Sequence, residues 1–355
     1  MQLKIITSDS PKKRPEDEEN LGFGDIFSDH MFVMKYEEGK GWHDPCIRPY
    51  SKIELDPAAM VLHYAQAIFE GLKAYRRMDG GINLFRPWEN LKRFNRSARR
   101  MCMPEINEEF VLDCMKRLIL IDKDWVPKNK GTSLYIRPFM FATEPHLGVR
   151  PSKSYLFFII TGPVGAYYKE GFNPVKIYVE DKFVRAAPGG TGDVKTGGNY
   201  AASLYSSEMA KKKGFTQVLW LDAVERKYVE EVGTMNVFFV IEDELITSPL
   251  TGTILPGITR DSVIHIARDW GIKVTERRIS IDEVIESIEK RRLKEAFGTG
   301  TAAVISPIGQ ITYKGRDYII NGGKTGSLAK RLYDEIVSIQ YGYKDDPYGW
   351  IERVC

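Results

Sequence analysis

Apolar residues recur at three- and four-residue spacing over 87–101, where Trp88, Leu91, Phe94, Ala98 and Met101 share a face and Pro87 takes the first turn. A second helix is expected over Glu108–Ile121, with Phe110, Val111, Cys114, Met115 and Leu118 on one side. Aromatic and β-branched residues then mark Ser133–Ala142 and 155–161 as strands. Gly, Pro and Asn over 162–173 break both periods. The second half alternates more regularly. A helix over 201–213 closes at Gly214, and 217–222 reads as a buried strand. A hairpin is expected from 237–242 and Glu244–Thr247, then a helix over 259–270 and a strand over 273–279. Ser280-x-x-Glu283 is a capping box that opens another helix. A strand at 295–297 leads into a Gly298-Thr299-Gly300-Thr301 turn, and Ser327–Tyr341 is the last helix. The chain reads as mixed α/β in two domains, 1–165 and 179–355, joined by a linker over 166–178.

Composition narrows the function. The 355 residues suit about two cores. Hydrophobic residues at 43% and charged residues at 28% are ordinary globular usage, which excludes a disordered chain or a coiled coil. A net charge of +3 is too mild for a nucleic-acid or membrane-surface binder. The four cysteines form no C-x-x-C pair or His/Cys cluster, so neither a metal site nor a disulfide framework is expected. Residues 1–20 mix both charges without an apolar core, unlike a signal or transit peptide. The longest apolar run, 155–160, is far short of the ~20 residues a membrane span needs. A soluble, cytoplasmic protein is the expectation.

The most informative stretch is Pro188 to Tyr200, PGGTGDVKTGGNY, in which five glycines enclose Lys195. Glycine removes the Cβ barrier, so backbone or ligand approaches such a lysine closely. A phosphate-binding loop needs G-x-x-x-x-G-K-[ST]. Gly189, Lys195 and Thr196 fit, but Val194 stands at the second glycine position. The other chemistry is a Schiff-base lysine, which must lose its proton and reach a carbonyl carbon. An ordinary solvated lysine is the bland alternative.

The rest of the chain decides between these. Gly198-Asn199-Tyr200, Glu231-Val232-Gly233-Thr234-Met235-Asn236, Leu255-Pro256-Gly257-Ile258-Thr259-Arg260 and Gly298-Thr299-Gly300-Thr301-Ala302-Ala303 follow in order. Phe69-Glu70-Gly71, Arg86-Pro87-Trp88 and Arg93 precede them. Together these resemble branched-chain amino-acid aminotransferases, pyridoxal-phosphate enzymes of fold type IV. The resemblance implies a smaller and a larger α/β domain in a homodimer. It makes Lys195 the catalytic, cofactor-linked lysine, Glu231 the partner of the pyridine nitrogen and Tyr200 a donor to the phenolate oxygen. Arg93, Ile258, Thr259 and Thr301 become the phosphate ligands. Pattern alone does not choose Arg93, because its helix also carries Arg86, Lys92, Arg96, Arg99 and Arg100. Glu230 is read as the solvated neighbour of Glu231.

By the same resemblance, Thr234, Ala302 and Ala303 receive the substrate α-carboxylate. Tyr64, Phe69, Tyr135 and Tyr167 wall the side-chain pocket, with Val149 reaching in from a partner subunit. Arg137 and the tyrosine hydroxyls are the candidates for the distal carboxylate of glutamate. The function implied is reversible transfer of the amino group of leucine, isoleucine or valine to 2-oxoglutarate by a ping-pong mechanism. D-Amino-acid aminotransferase and aminodeoxychorismate lyase share the fold and cofactor and are the nearest rivals; a phosphate-loop nucleotidase is the rival from another class. Mammalian members carry a C-x-x-C pair where this chain has Ala303 and Ser306, so thiol regulation is not expected there.

Overall fold

Alternating large residues with one side buried force the longest strands of the first half together. A computed structural model describes residues 1–165 and 172–355. Two units form, the first from 1–167, 194–197 and 338–355, the second from 168–193 and 198–337. The first contains β1 (Lys4–Ile5), β2 (His30–Glu37), β3 (Gly41–Pro49), β4 (Ala67–Phe69), β5 (Leu72–Arg76), β6 (Ile82–Phe85), β7 (Ser133–Ala142) and β8 (Ser154–Val164). Their order is β1-β3-β2-β8-β7-β5-β6, with Ile351–Arg353 beside β6 and β4 also on β7. The short α1 (Met60–Tyr64) precedes β4, and α2 (Pro87–Arg100) and α3 (Glu108–Ile121) follow β6. Leu91, Phe94 and Ala98 of α2 join Val111, Met115 and Leu118 of α3 in one core with Phe32, Ile136 and Phe157 of the sheet. Phe94 meets Phe157 edge-on, their centroids 5.4 Å apart. Asn107 caps α3, accepting from the Phe110 N–H at 2.8 Å.

The second unit holds α4 (Gly197–Lys212) apart from its first residue, with β9 (Val175–Glu180), β10 (Gln217–Leu221), β11 (Val229–Val232), β12 (Met235–Ile241), β13 (Glu244–Thr247), β14 (Lys273–Glu276), β15 (Leu293–Gly300), β16 (Val304–Tyr313) and β17 (Arg316–Ile319). Their order is β11-β10-β9-β16-β15-β12-β13-β14, with β17 also on β16 and β11 also on β12. The same unit includes α5 (Ile258–Asp269), α6 (Ile281–Glu289) and most of α7 (Ser327–Tyr341). Ile281, Val284 and Ile285 of α6 enter a core with Leu219, Val232, Phe239 and Ile311. The expected capping box is present, with the Ser280 hydroxyl accepting from the Glu283 N–H at 3.0 Å.

Three expectations differ from this arrangement. The linker expected over 166–178 contains the start of β9 at Val175, which is already paired in the sheet. Residues 338–355 cluster with the first unit, where the sequence reading carried the second domain to the end of the chain. Gly298 and Gly300 lie in β15 rather than in a turn; side chains of Met235 and Val232 occupy the space a Cβ on Gly298 would need. Among the described residues, no helix is long and apolar enough to cross a membrane.

Candidate active site

Lys195 is fixed through its backbone. Its carbonyl accepts from the Phe69 N–H at 3.0 Å. Its own N–H donates to the Ser97 hydroxyl of α2 at 3.1 Å. Thr196 forms an antiparallel bridge with Ile68, and its hydroxyl donates to the Ala67 carbonyl at 2.8 Å. The lysine segment thus extends the edge beside β4. The Lys195 ammonium lies 4.8 Å from the centroid of the Phe69 ring. The Arg137 guanidinium lies at the same 4.8 Å from that ring.

Burial separates Arg93 from the other cations of its helix: it is 7% exposed, while Lys92, Arg96, Arg99 and Arg100 are exposed. Glu70 holds it in a fork, with Nε to Oε1 at 2.6 Å and Nη2 to Oε2 at 2.9 Å. Asn90 Nδ2 and the Gly71 N–H also donate to Glu70 Oε2, at 2.7 and 3.1 Å. Burial pushes the Glu70 carboxyl up, but the Arg93 guanidinium, its hydrogen bonds and the Lys195 charge bring it below its ordinary value. Glu70 had no role in the sequence reading. Its signal was its place in the Phe69-Glu70-Gly71 motif, which fixed it in sequence without showing its partner.

Register puts Phe69, Lys73, Tyr135, Arg137 and Phe139 on one face, since Phe69 pairs with Phe139 and Lys73 with Tyr135. Arg137 Nη2 donates to the Tyr135 hydroxyl at 2.9 Å. A Cβ on Gly71 would overlap that hydroxyl, which is why glycine follows Glu70. Phe23 meets Tyr135 edge-on at 5.0 Å. It stands in an aperiodic segment, and nothing in the pattern pointed to it. Lys73 was also missed; burial pushes its amine down to about 8. Tyr64 donates through its hydroxyl to the Leu147 carbonyl. Val149 is 84% exposed. Tyr167 lies outside the described residues.

In the second unit, the candidates gather at one end of the sheet. Asn236 of β12 pairs with Glu231 of β11 and with Thr299 of β15, and the turns after β11 and β15 hold Thr234 and Thr301-Ala302-Ala303. Glu231 is 3% exposed and accepts from the Leu255 N–H at 2.8 Å and from Asn236 Nδ2 at 3.4 Å, both on Oε1. Asn236 Nδ2 also donates to the Leu255 carbonyl at 2.9 Å. These bonds tie Glu231 to the segment that enters α5. Gly257, the residue before α5, offers no side chain to cap Ile258 and Thr259. A Cβ there would overlap Asn236 Oδ1. Tyr200 stands in the first turn of α4, its carbonyl accepting from the Ser203 hydroxyl at 2.7 Å.

Glu230 corrects the sequence reading. It is 7% exposed and not solvated, because β11 is covered on both faces. Its Oε1 accepts from the Thr253 hydroxyl at 2.6 Å, and Oε2 is buried without a hydrogen-bond partner among the described residues. Burial therefore pushes its carboxyl up, against the opposing pull of Thr253 and Arg185.

Comparison with known proteins identifies the family of the chain. The amino-transferase class IV family profile matches residues 67–311. Branched-chain-amino-acid aminotransferase 2 of Bacillus subtilis (strain 168) is 56% identical over 346 residues, 98% of this chain and 95% of that protein. The branched-chain amino acid aminotransferase of Escherichia coli superposes with a TM-score of 0.77 at 27% identity, over 91% of this chain and 99% of that one. A branched-chain amino acid aminotransferase of T.th., solved with pyridoxamine 5′-phosphate, gives 0.74 at 27% identity, over 91% and 98%. The chain therefore belongs to the class IV aminotransferases, within the branched-chain amino-acid aminotransferase family of fold type IV.

Proposed function

We propose that this enzyme moves the amino group of leucine, isoleucine or valine to 2-oxoglutarate, reversibly and in two half-reactions, with pyridoxal 5′-phosphate as its cofactor. The observation that carries the reading is the fixed Lys195, held at both backbone groups with its ammonium on the Phe69 ring. The residues present fit the cofactor. Glu231 is a buried carboxylate suited to a protonated ring nitrogen, and α5 begins on a glycine with no side-chain cap, which suits a phosphate. Two positions before Thr301, Thr299 adds a buried hydroxyl without a hydrogen-bond partner among the described residues.

When bound, the cofactor supplies the carbonyl that takes up the amino group and a ring that accepts electron density. Lys195 would hold and move a proton at Nζ. Glu231 would keep the ring nitrogen protonated, Tyr200 would donate to the phenolate oxygen, and Arg93, Ile258, Thr259 and Thr301 would bind phosphate. Thr234, Ala302 and Ala303 would orient the substrate α-carboxylate through backbone N–H groups. Phe69, Tyr64, Tyr135 and Tyr167 would exclude water from an apolar side chain, with Arg137 and Tyr135 receiving the distal carboxylate of glutamate. A homodimer belongs to the proposal, and the exposure of Val149 supports its service to a partner copy.

The test is Lys195→Ala, assayed with a panel of L- and D-amino donors and 2-oxoglutarate. The parent should use leucine, isoleucine and valine, and the variant should lose multiple turnover yet still bind the cofactor. Turnover of leucine at the parent rate by the variant would falsify the assignment, and a preference for D-donors would move the enzyme to another branch of the fold.

A further inference from the structure

Glu231 has a neighbour that no motif singled out. The Arg185 side chain is 8% exposed, and its Nε lies 3.1 Å from Glu231 Oε2. This ion pair falls short of a hydrogen bond, since Nε is among the buried atoms without a bonding partner. The same guanidinium is engaged elsewhere. Nη2 donates to the Gly192 carbonyl at 3.0 Å and to the Thr253 carbonyl. A Cβ on Gly192 would overlap the Thr253 carbonyl, so this glycine is what lets its loop lie against that segment. Thr253 in turn donates from its hydroxyl to Glu230. One cation therefore ties the Gly192 loop and the Thr253 segment to the oxygen of Glu231 opposite the one used by Leu255 and Asn236.

The two adjacent glutamates show what this arrangement does. Both are buried, but Glu230 has a hydroxyl on one oxygen and, among the described residues, no hydrogen-bond partner on the other, whereas Glu231 has a cation, a backbone N–H and an amide. Burial alone drives a carboxyl toward its neutral form, and an opposite charge at ion-pair distance reverses that. A neutral acid could not keep a ring nitrogen protonated.

We propose that Arg185 is the positioning residue for Glu231, holding its carboxylate charged and aimed while anchoring the Gly192 loop. The inference rests on the reading of Glu231 as the partner of the cofactor's ring nitrogen. Because Arg185 touches Glu231 directly, the part of its effect that acts through Glu231 must vanish when Glu231 is replaced, so their substitutions must not add in full.

The experiment is a double-mutant cycle of Arg185→Gln and Glu231→Gln on the holoenzyme, with Arg185→Lys beside it. The readouts are kcat with leucine, pyridoxal-phosphate affinity by equilibrium dialysis, and the pH dependence of the bound cofactor's absorption band. Arg185→Gln should lower kcat ~10–150-fold, the loss of one charge-assisted contact, and displace the pH profile of the band. In the Glu231→Gln background the same change should cost less than about threefold. Arg185→Lys, which keeps the charge without the fork, should recover part of the loss and restore the profile. Full additivity, or a fall in kcat with an unmoved pH profile, would show that Arg185 only braces the fold. If Arg185→Gln does not fold, the cycle with Arg185→Lys decides by the same additivity criterion. A silent Glu231→Gln would overturn the Glu231 reading and this proposal with it, whereas a damaging Glu231→Gln beside a silent Arg185→Gln overturns the proposal alone.

Discussion

In the proposed reading, Arg137 is the side chain that would serve two unlike substrates. Tyr135 and Phe69 hold its guanidinium without neutralising it, through a hydroxyl at 2.9 Å and a ring face at 4.8 Å. As proposed, such an arrangement would stay usable by an apolar chain and still offer a cation to a carboxylate. Arg137→Met should therefore harm the half-reaction with 2-oxoglutarate far more than the one with leucine. Losing a charge-assisted bond of ~1.5–3 kcal/mol implies a selective fall of roughly 10–150-fold in kcat/KM. Single-turnover spectra of each half-reaction measure it, and equal losses in both would make Arg137 structural. Lys73, on the same face, makes a prediction about pH. Its amine falls from an ordinary 10.5 to about 8 in the folded chain because burial disfavours the charge. Between those values the unfolded chain binds a proton that the folded one does not, so stability rises with pH across that window. Below about 8 the cost of the buried charge is fully present. Denaturant titrations on either side of that value should find Lys73→Met more stable than the parent at the lower pH, with the gap narrowing at the higher.

At the scale of elements, periodicity located most helices because each carries one apolar face. Observed α2 and α3 match the expected bounds to within one residue, and Ser280 caps α6. Residues that bind to something distant were harder to read. β2 and β3 were not expected, because β2 is buried along most of its first five residues and β3 begins half-exposed, so neither alternates cleanly. Arg93 was legible only through the family motif, since its helix is crowded with cations and its partner Glu70 is 23 residues away. Glu230 was misread because sequence adjacency does not show that a strand is covered on both faces. Gly257 is where an element and the site meet. Its backbone is extended, so alanine meets no conformational barrier there, only the Asn236 amide that a Cβ would overlap. Gly257→Ala should cost ~1–3 kcal/mol through overpacking and weaken cofactor binding as Asn236 shifts from Leu255 and Glu231. Thermal melts of the apo form and dialysis of the cofactor measure the two effects separately. A melt lowered without any change in affinity would detach this turn from the site.

At the scale of the whole molecule, sequence pattern could not show that the chain returns to its first unit. Ile351–Arg353 pairs with β6, and Trp350 packs edge-on against Phe85 at 5.6 Å with Arg86 over its ring. Glu352 is paired with Lys116 of α3 and accepts from the Trp88 indole. Such contacts depend on residues more than 200 positions apart, beyond the reach of any local period. Deleting 344–355 should therefore lower the melting temperature by several degrees, since stripping a strand and its aromatic cover removes a few kcal/mol. An unchanged melt would mean that the terminal strand contributes nothing to the first unit.

The stretch 194–197 has a consequence of its own. It is assigned to the first unit although it lies far along the chain, and Thr196 bridges to Ile68. The lysine segment is thus not modular. A gene fragment ending at residue 165 would encode most of a sheet but no Lys195, and the complementary fragment would carry the lysine without the edge that fixes it. Recombining the front half of one homologue with the back half of another would join a foreign lysine strand to a native β4. Chimeras cut near residue 170 should therefore fail more often than those in which 67–70 and 194–197 come from the same parent.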